Sequence, residues 1–291
     1  MRIAGAVCLA AALAALSGCD SGKPKVATVA AAPPAPETSR LSASLCSEVG
    51  RPRGFRVERE ALAPVLAVER GPSPDYRRAF ERTYALARGG NSLAILHLSD
   101  LYGNRATGFA DAAEQARLFD CALRLGSPEA LVRQGLALSA AGAGRPRAAG
   151  RADRLAAIGL FERAANLGDM SGVNALAGFV AAGRSGYPRS AALGREIREA
   201  CAATGDAACL RDLAGDLEAE GNIEGAFFWM DVLTARAAAQ ADVQRRDALA
   251  RRLDAGQVRR TRASTGRWRR LSWEEVRYDW TRARDRLAAA L

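Results

Sequence analysis

The chain of 291 residues is long enough for one large domain or two modest ones. Only 6% of the residues are aromatic, and the alternating Val, Ile, Thr and Tyr of strands is nearly absent, so the composition predicts an all-α protein and argues against a sheet. The net charge is +10, and all but two of the 42 basic residues are arginine, which favours an anionic partner.

The first 19 residues have the organisation of an export signal. A positive start, Met1-Arg2, precedes thirteen apolar residues, fewer than the ~20 of a membrane-spanning helix, so residues 1–18 are predicted to be a signal peptide. The segment Leu-Ser-Gly-Cys that ends at Cys19 resembles a bacterial lipobox, which implies acylation of Cys19 by chains such as palmitate. The alternative is an ordinary secreted protein in which Cys19 is incidental. We expect a lipid-anchored protein of the bacterial cell envelope that faces the periplasm, on either the inner or the outer membrane.

Residues 19–39 are rich in Pro, Ala and small polar residues. Such a composition is typical of a disordered tether, which at about 3.1 Å per residue would reach roughly 60 Å. Residues 40–89 are predicted to be an N-terminal helical segment. Because the signal directs the chain out of the cytoplasm, nucleic acid is not expected as a partner.

Glycine recurs at the ends of helix-like segments with spacings of 36, 42 and 37 residues, at Gly90, Gly126, Gly168 and Gly205. Four positions after each glycine stands a small residue: Ala94, Ala130, Gly172 and Cys209. Positions four, eight and twelve after the glycine share one helical face, and a small residue at position nine lets a neighbouring helix approach closely. The pattern predicts about four units over residues 90–238, each with a helix A, a polar loop and a helix B that ends at glycine.

Helix starts are marked by two kinds of capping signal. Ser73-Pro74 and Ser127-Pro128 each combine a capping serine with a proline in the first turn. Asp169 and Asp206 are candidate N-caps of the third and fourth A helices.

The B helices contain a motif of the form Ala-x-Leu-Phe-x₂-Ala-x₃-Gly. It comprises Ala116, Leu118, Phe119 and Ala122 in the first unit and Ala157, Leu160, Phe161 and Ala164 in the second, where two residues stand between the first alanine and the leucine. With the A-helix pattern it resembles the Sel-1-like repeat of the tetratricopeptide superfamily, from which Gln134 and Arg198 depart. The resemblance implies an α-solenoid of αα-hairpins that binds other proteins or polymers. It therefore implies a protein-interaction scaffold, in this compartment for assembly of an envelope complex, with an envelope protein or a polysaccharide as partner.

Four cysteines remain after Cys8 and Cys19 are set aside, and four thiols in an oxidising compartment predict two disulfides. The segment from Cys201 to Cys209 resembles the bridge of the cysteine-rich branch of the family, which implies a bond between these two. Cys46 and Cys121 would then be the second pair; the alternative is buried free thiols. A metal site is not expected, since the sequence has one histidine and no Cys-x₂-Cys pair.

The sequence lacks the nucleophile-elbow, Ser-x-x-Lys, phosphate-loop and His-Glu-x-x-His motifs. His97 falls within the first A helix and is expected at its surface or half-buried. We therefore predict a non-catalytic protein without a cofactor. Relatives in the cysteine-rich branch have been linked to penicillin binding and β-lactam hydrolysis, so a weak hydrolase or binder of β-lactams or peptidoglycan fragments is the alternative.

Residues 239–291 are predicted to form basic C-terminal helices, since residues 243–291 contain 14 arginines against six acidic residues. Ser272 and Glu275 form a capping box. The helix that follows has an apolar stripe of Trp273, Val276, Trp280, Ala283, Leu287 and Ala290. The favoured interpretation is a C-terminal capping helix that covers the last open repeat.

Residues 257–270, before that helix, are predicted to be a basic connector. Its candidate partner-binding patch comprises Arg259, Arg260, Arg262, Arg267, Trp268, Arg269 and Arg270. Arginine and tryptophan suit anionic lipid, lipopolysaccharide or an acidic envelope protein, and the sequence leaves these three open.

Overall fold

A computed structural model describes residues 45–47, 54–72, 74–143, 145–146, 148–236 and 239–291, all of which belong to one compact unit. Helices are the regular secondary structure of these residues, with no strand among them, so the predicted all-α class is confirmed. The signal peptide, Cys19 and the tether predicted from the sequence lie outside the described residues. No helix in the described ranges has both the length and the apolar composition needed to cross a bilayer.

Besides a helical stretch at residues 45–47 and a 3₁₀ turn at Arg105–Thr107, the described part of the chain contains thirteen α-helices. In chain order they are α1 Phe55–Glu69, α2 Tyr76–Arg88, α3 Ser92–Gly103, α4 Ala112–Arg124, α5 Pro128–Ala143, α6 Arg151–Asn166, α7 Ser171–Ala182, α8 Ala191–Ala203, α9 Ala207–Ala219, α10 Ile223–Thr234, α11 Gln240–Ala250, α12 Ala255–Arg267 and α13 Trp273–Ala290.

Consecutive helices pack as pairs. The most extensive contacts join α3 to α4, α5 to α6, α7 to α8 and α9 to α10, and these are the four predicted units. The A helices α3, α5, α7 and α9 also contact one another in sequence order, so the pairs form an array, as predicted. Helices α1 and α2 pack on each other and form a further pair. Both of them also pack on α3, so this pair precedes the first repeat unit.

Glycine ends α2 and the first three B helices, α4, α6 and α8, for a conformational reason, whereas no glycine directly follows the fourth B helix, α10. Gly90, Gly126, Gly168 and Gly205 have φ between 76° and 97°, the left-handed region that residues with a Cβ rarely adopt. Their predicted role as helix stops is confirmed.

The four predicted helix starts have different outcomes. Asp206 caps α9 as predicted, by accepting the N–H groups of Ala208 and Cys209. Helix α5 begins at Pro128 as predicted, but the Ser127 hydroxyl has no hydrogen-bond partner among the described residues, so this serine does not cap the helix. Helix α2 is capped by Asp75, whereas Ser73 lies outside the described residues. Helix α7 begins at Ser171, whose N–H and hydroxyl both donate to Asp169, so this aspartate acts one residue before the cap position.

Two hydrophobic clusters meet on α5. The first contains buried residues from Leu45 to Ala130, and the second contains those from Leu131 to Leu287. Each cluster draws side chains from several successive pairs, and the partly buried Leu123 packs against both clusters, so apolar contact extends from pair to pair along the array, as stacked repeats require.

The C-terminal helices do more than cover the end of the array. Helices α11 and α12 pack on α10, but α13 turns back and packs on α8 and α6, the B helices of the third and second units. The predicted stripe is buried at Val276, Trp280, Ala283 and Leu287 and exposed at Ala290. The ion pair of Arg284 with Glu162 (2.9 Å) and that of Arg286 with Glu196 hold the two edges of α13.

Candidate interaction surfaces

The structure contains two disulfides that join the pairs expected from the sequence. Cys201 at the end of α8 is bonded to Cys209 in α9, with their Cα atoms 5.8 Å apart. Cys46 is bonded to Cys121, with a Cα distance of 5.7 Å, and this bond ties the stretch at residues 45–47 to α4. Donor atoms of Cys201, Cys209 and Asp206 lie within 4.8 Å of one another, but the sulfurs are bonded to each other and the carboxylate caps α9.

The segment predicted as a basic connector is mostly helical, because Asp254 and Gln257 form a capping box that starts α12. The periodicity of this segment gave no sign of the helix, since Thr261 is its single buried residue. All six arginines of the predicted patch are exposed.

Two members of the predicted patch have structural roles. The ring of Trp268 is half-buried, meets Trp229 edge-on at a centroid distance of 6.2 Å and lies 4.5 Å from the guanidinium of Arg236. Arg269 pairs with Glu275 at 2.8 Å. Glu275 also accepts the backbone N–H of Ser272, and these bonds lower the pKa of the Glu275 carboxyl to about 2. The remaining five arginines make no ion pair with any described residue.

A groove of about 660 Å³ lies between α1 on one side and α3, α5 and the start of α7 on the other. Its apolar lining comes from both walls: Phe55, Leu62, Leu66, Leu93, Leu96, Val132 and Leu136. Charged side chains also line it, of both signs: Arg59, Glu69, Arg70, Asp100, Glu129, Arg133 and Asp169. An apolar lining with convergent polar groups is the usual composition of a binding cleft.

Helix α1 is fixed at two points along α3. The buried carboxylate of Glu58 accepts the Ser92 hydroxyl at 2.6 Å and the Leu93 N–H at 3.2 Å, which places a negative charge at the N-terminus of α3. Near the other end of α1, Glu69 lies 2.9 Å from Nε2 of His97. The wall that α1 forms is therefore held in position by side chains and not by apolar contact alone.

His97 lies deeper than the sequence predicts. It is 7% exposed because Glu69 and the rest of α1 cover the face of α3 that the repeat pattern leaves open. Burial lowers the pKa of His97, and the nearby carboxylates of Glu69, Asp100 and Glu129 oppose that shift only in part.

A cluster of charged side chains in the groove joins the first repeat unit to the second. Arg133 on α5 donates to Asp100 on α3 at 2.8 Å and to Glu129 on its own helix at 2.7 Å. The bond to Asp100 is the main cause of an Arg133 pKa above its usual value. Partnered on both sides, Arg133 is positioned to present a fixed charge to a ligand in the groove.

The free energy of unfolding should decrease as the pH falls below about 6.5. Unfolded His97 takes up a proton at its ordinary pKa, whereas folded His97 resists protonation until the pH reaches its lowered value, so stability is lost in between. Urea titrations between pH 7.5 and about 5 would measure this loss.

The variant His97→Gln should show a weaker pH dependence in that range, since the chain has no other histidine. Asp169 acts in the opposite direction, because burial raises its pKa, so the difference between the two proteins is the informative quantity. An unchanged slope in the variant would assign the pH dependence to carboxyl groups.

Comparison with known proteins gives a likeness in fold. No protein-family model matches the chain, and no curated protein is similar to it. A solved protective antigen present in uropathogenic Escherichia coli strains and displaying an SLR fold is 16% identical, with a TM-score of 0.49 over 85% of this chain and 50% of that chain. A solved Sel1 repeat protein from Oxalobacter formigenes is 20% identical, with a TM-score of 0.44 over 79% of this chain and 87% of that chain.

Both solved structures are Sel1-type repeat proteins. This chain spans half the length of the first of them. The array of helix pairs in the present chain is the feature that the sequence resemblance implied.

The groove was not predicted from the sequence, although the part of its lining that comes from α1 had a signal there. Phe55, Arg59, Leu62, Leu66 and Glu69 all line it, and their spacings of 4, 3, 4 and 3 are those of one helical face. This spacing could have been detected in the sequence. The surface that the stripe packs against could not, since the contact to α3 spans more than thirty positions of sequence.

Proposed function

We propose that the chain is a non-catalytic scaffold that binds a segment of an envelope protein in the groove between α1 and helices α3, α5 and α7. The groove carries the proposal, because it combines an apolar lining with charged groups already fixed by partners of their own. A segment that enters it would bury leucine side chains and meet charges of both signs. Such a surface selects a polypeptide over a purely anionic polymer.

In the proposed function the scaffold is held to the membrane of the envelope through a lipid on Cys19, with residues 19–39 as the tether. The support is the order of positive start, apolar run and Leu-Ser-Gly-Cys in the sequence. A tether of this length gives the groove access to partners away from the lipid surface.

The absence of catalysis is also part of the proposal. Among the described residues no hydroxyl or thiol is hydrogen-bonded to His97, whose Nε2 lies 2.9 Å from the Glu69 carboxylate. A base that activates a nucleophile has to lie within hydrogen-bond reach of it. Hydrolysis of nitrocefin by the purified protein would contradict this part of the proposal.

Photo-crosslinking in living cells tests the groove. A photoreactive amino acid replaces Leu136 on α5 or, in a second variant, Leu66 on the opposite wall; a third variant with the probe at exposed Arg163 on α6 is the control. We expect one protein to be captured from both walls and not from the control position. Capture of unrelated proteins from the two walls, or of the same proteins from all three positions, would refute the groove as the binding site.

A further inference from the structure

Helix α12 has one face composed only of arginine and small residues. Its thirteen residues include four arginines and no Asp or Glu. Arg259, Arg260, Arg262 and Arg267 are all exposed, and the other exposed positions of the helix are Ala255, Ala263 and Gly266. We call the four arginines the α12 cationic face.

The orientation of this face is fixed from the opposite side of the helix. Thr261 is buried and donates its hydroxyl to Glu224 of α10 at 3.1 Å. The capping box of Asp254 and Gln257 fixes the start of the helix, and α12 packs on α10 at the end of the array. Arg259, Arg262 and Arg267 therefore point away from the repeats, and exposed Arg260 lies at the edge of the contact, where it lines a pocket with residues of α10.

The charge of the α12 cationic face is not neutralised by the described part of the protein. Arginines on neighbouring helices have carboxylate partners: Arg211 pairs with Asp242 at 2.8 Å and Arg252 with Glu218 at 2.7 Å. Within the described ranges, the four arginines of α12 have no such ion pair, and Arg259 and Arg262, three residues apart, repel each other. An external anion would relieve this repulsion.

We propose that the α12 cationic face docks on the phosphate headgroups of an anionic phospholipid bilayer. Guanidinium groups bind phosphate through two parallel hydrogen bonds, and Ala and Gly between them let the helix approach a flat array of phosphates closely. The centre of a protein interface is usually rich in aromatic and apolar side chains, and the exposed positions of this helix have only arginine, alanine and glycine, so a flat array of phosphates fits the face better. The inference does not depend on the groove or on the lipid at Cys19.

The fragment of residues 40–291 is suited to the test, since it contains every described helix, both hydrophobic clusters and both disulfides while omitting the predicted lipid site. Its sedimentation with vesicles of phosphatidylcholine, with and without phosphatidylglycerol, gives the affinity. We expect binding only to the vesicles with phosphatidylglycerol, and weaker binding as salt is added.

Two variants that lose the same number of charges distinguish the contribution of the α12 cationic face to vesicle binding from the contribution of the net charge. Replacing the four arginines of α12 by glutamine should weaken binding about fivefold for each arginine, of the order of several-hundredfold together. The control replaces exposed arginines on three other helices that are free of ion pairs with described residues: Arg78, Arg82, Arg124 and Arg163. It should lose far less affinity, because its charges are spread over three helices and do not form one face of a single helix. Circular dichroism confirms that both variants are folded.

Three results would overturn the proposal. One is no difference between the two kinds of vesicle. Another is an equal loss in both variants, which would show that net charge alone governs binding. The third is binding of soluble polyglutamate or heparin without binding to vesicles, which would assign the face to an acidic polymer.

Discussion

Trp280→Ala is expected to lower the free energy of unfolding by about 3–5 kcal/mol, the range for removal of a fully buried large aromatic side chain. Trp280 is 0% exposed, belongs to the large hydrophobic cluster and lies 5.6 Å from Trp273, measured between ring centroids. It is the largest fully buried side chain of α13, the helix that packs on α6 and α8. Urea unfolding of the fragment of residues 40–291, followed by circular dichroism, would measure the loss.

Two further variants identify the physical cause of this loss. Trp280→Phe should cost much less, because the indole N–H has no hydrogen-bond partner among the described residues and most of the apolar area is kept. Tyr278→Ala, on the same helix but 76% exposed, should change stability by no more than about 0.5 kcal/mol. If Trp280→Ala lowered the free energy of unfolding as little as Tyr278→Ala does, α13 would be only loosely attached to the repeats.

The repeat array was predictable because its signals are local. The glycine stops need only a positive φ, and the small residues four positions later need only a close neighbour in the next helix. Such requirements recur in each unit, so alignment of the units makes them visible. The helix pairs over residues 90–238 follow from them directly.

The features that the sequence did not reveal all depend on distant contacts. The return of α13 to α6 places Arg284 beside Glu162, and the burial of Trp268 depends on Trp229 and Arg236. An amphipathic stripe indicates that a helix has a buried face, but it does not indicate which surface covers that face. The same limit explains why His97 was expected nearer the surface, since the helix that covers it lies outside the repeat pattern.

Phe161→Ala is the second substitution for which we expect a loss of about 3–5 kcal/mol in the free energy of unfolding. Phe161 is 0% exposed on α6, and its ring lies against the backbones of Gly135 on α5 and Gly172 on α7. A methyl group at either glycine would come closer than 3.0 Å to carbon atoms of the ring. The phenylalanine and the two glycines therefore form one packing unit that joins the second repeat to the third.

This arrangement predicts whether replacing a glycine by alanine raises or lowers the stability of the fold. At Gly172, helix propensity alone would predict the wrong direction. Alanine is a better helix former than glycine by about 1 kcal/mol, and Gly159→Ala, where an added methyl meets no atom within 4 Å, should stabilise the fold by up to that amount. Gly172→Ala should instead destabilise it, because crowding against Phe161 costs about 1–3 kcal/mol. In the Phe161→Ala background the two closest ring atoms are gone and only the Cβ of residue 161, 3.1 Å away, still crowds the methyl, so Gly172→Ala should destabilise the fold much less there. A double-mutant cycle by urea unfolding measures this coupling, and additive effects would show that the ring and the glycine do not constrain each other.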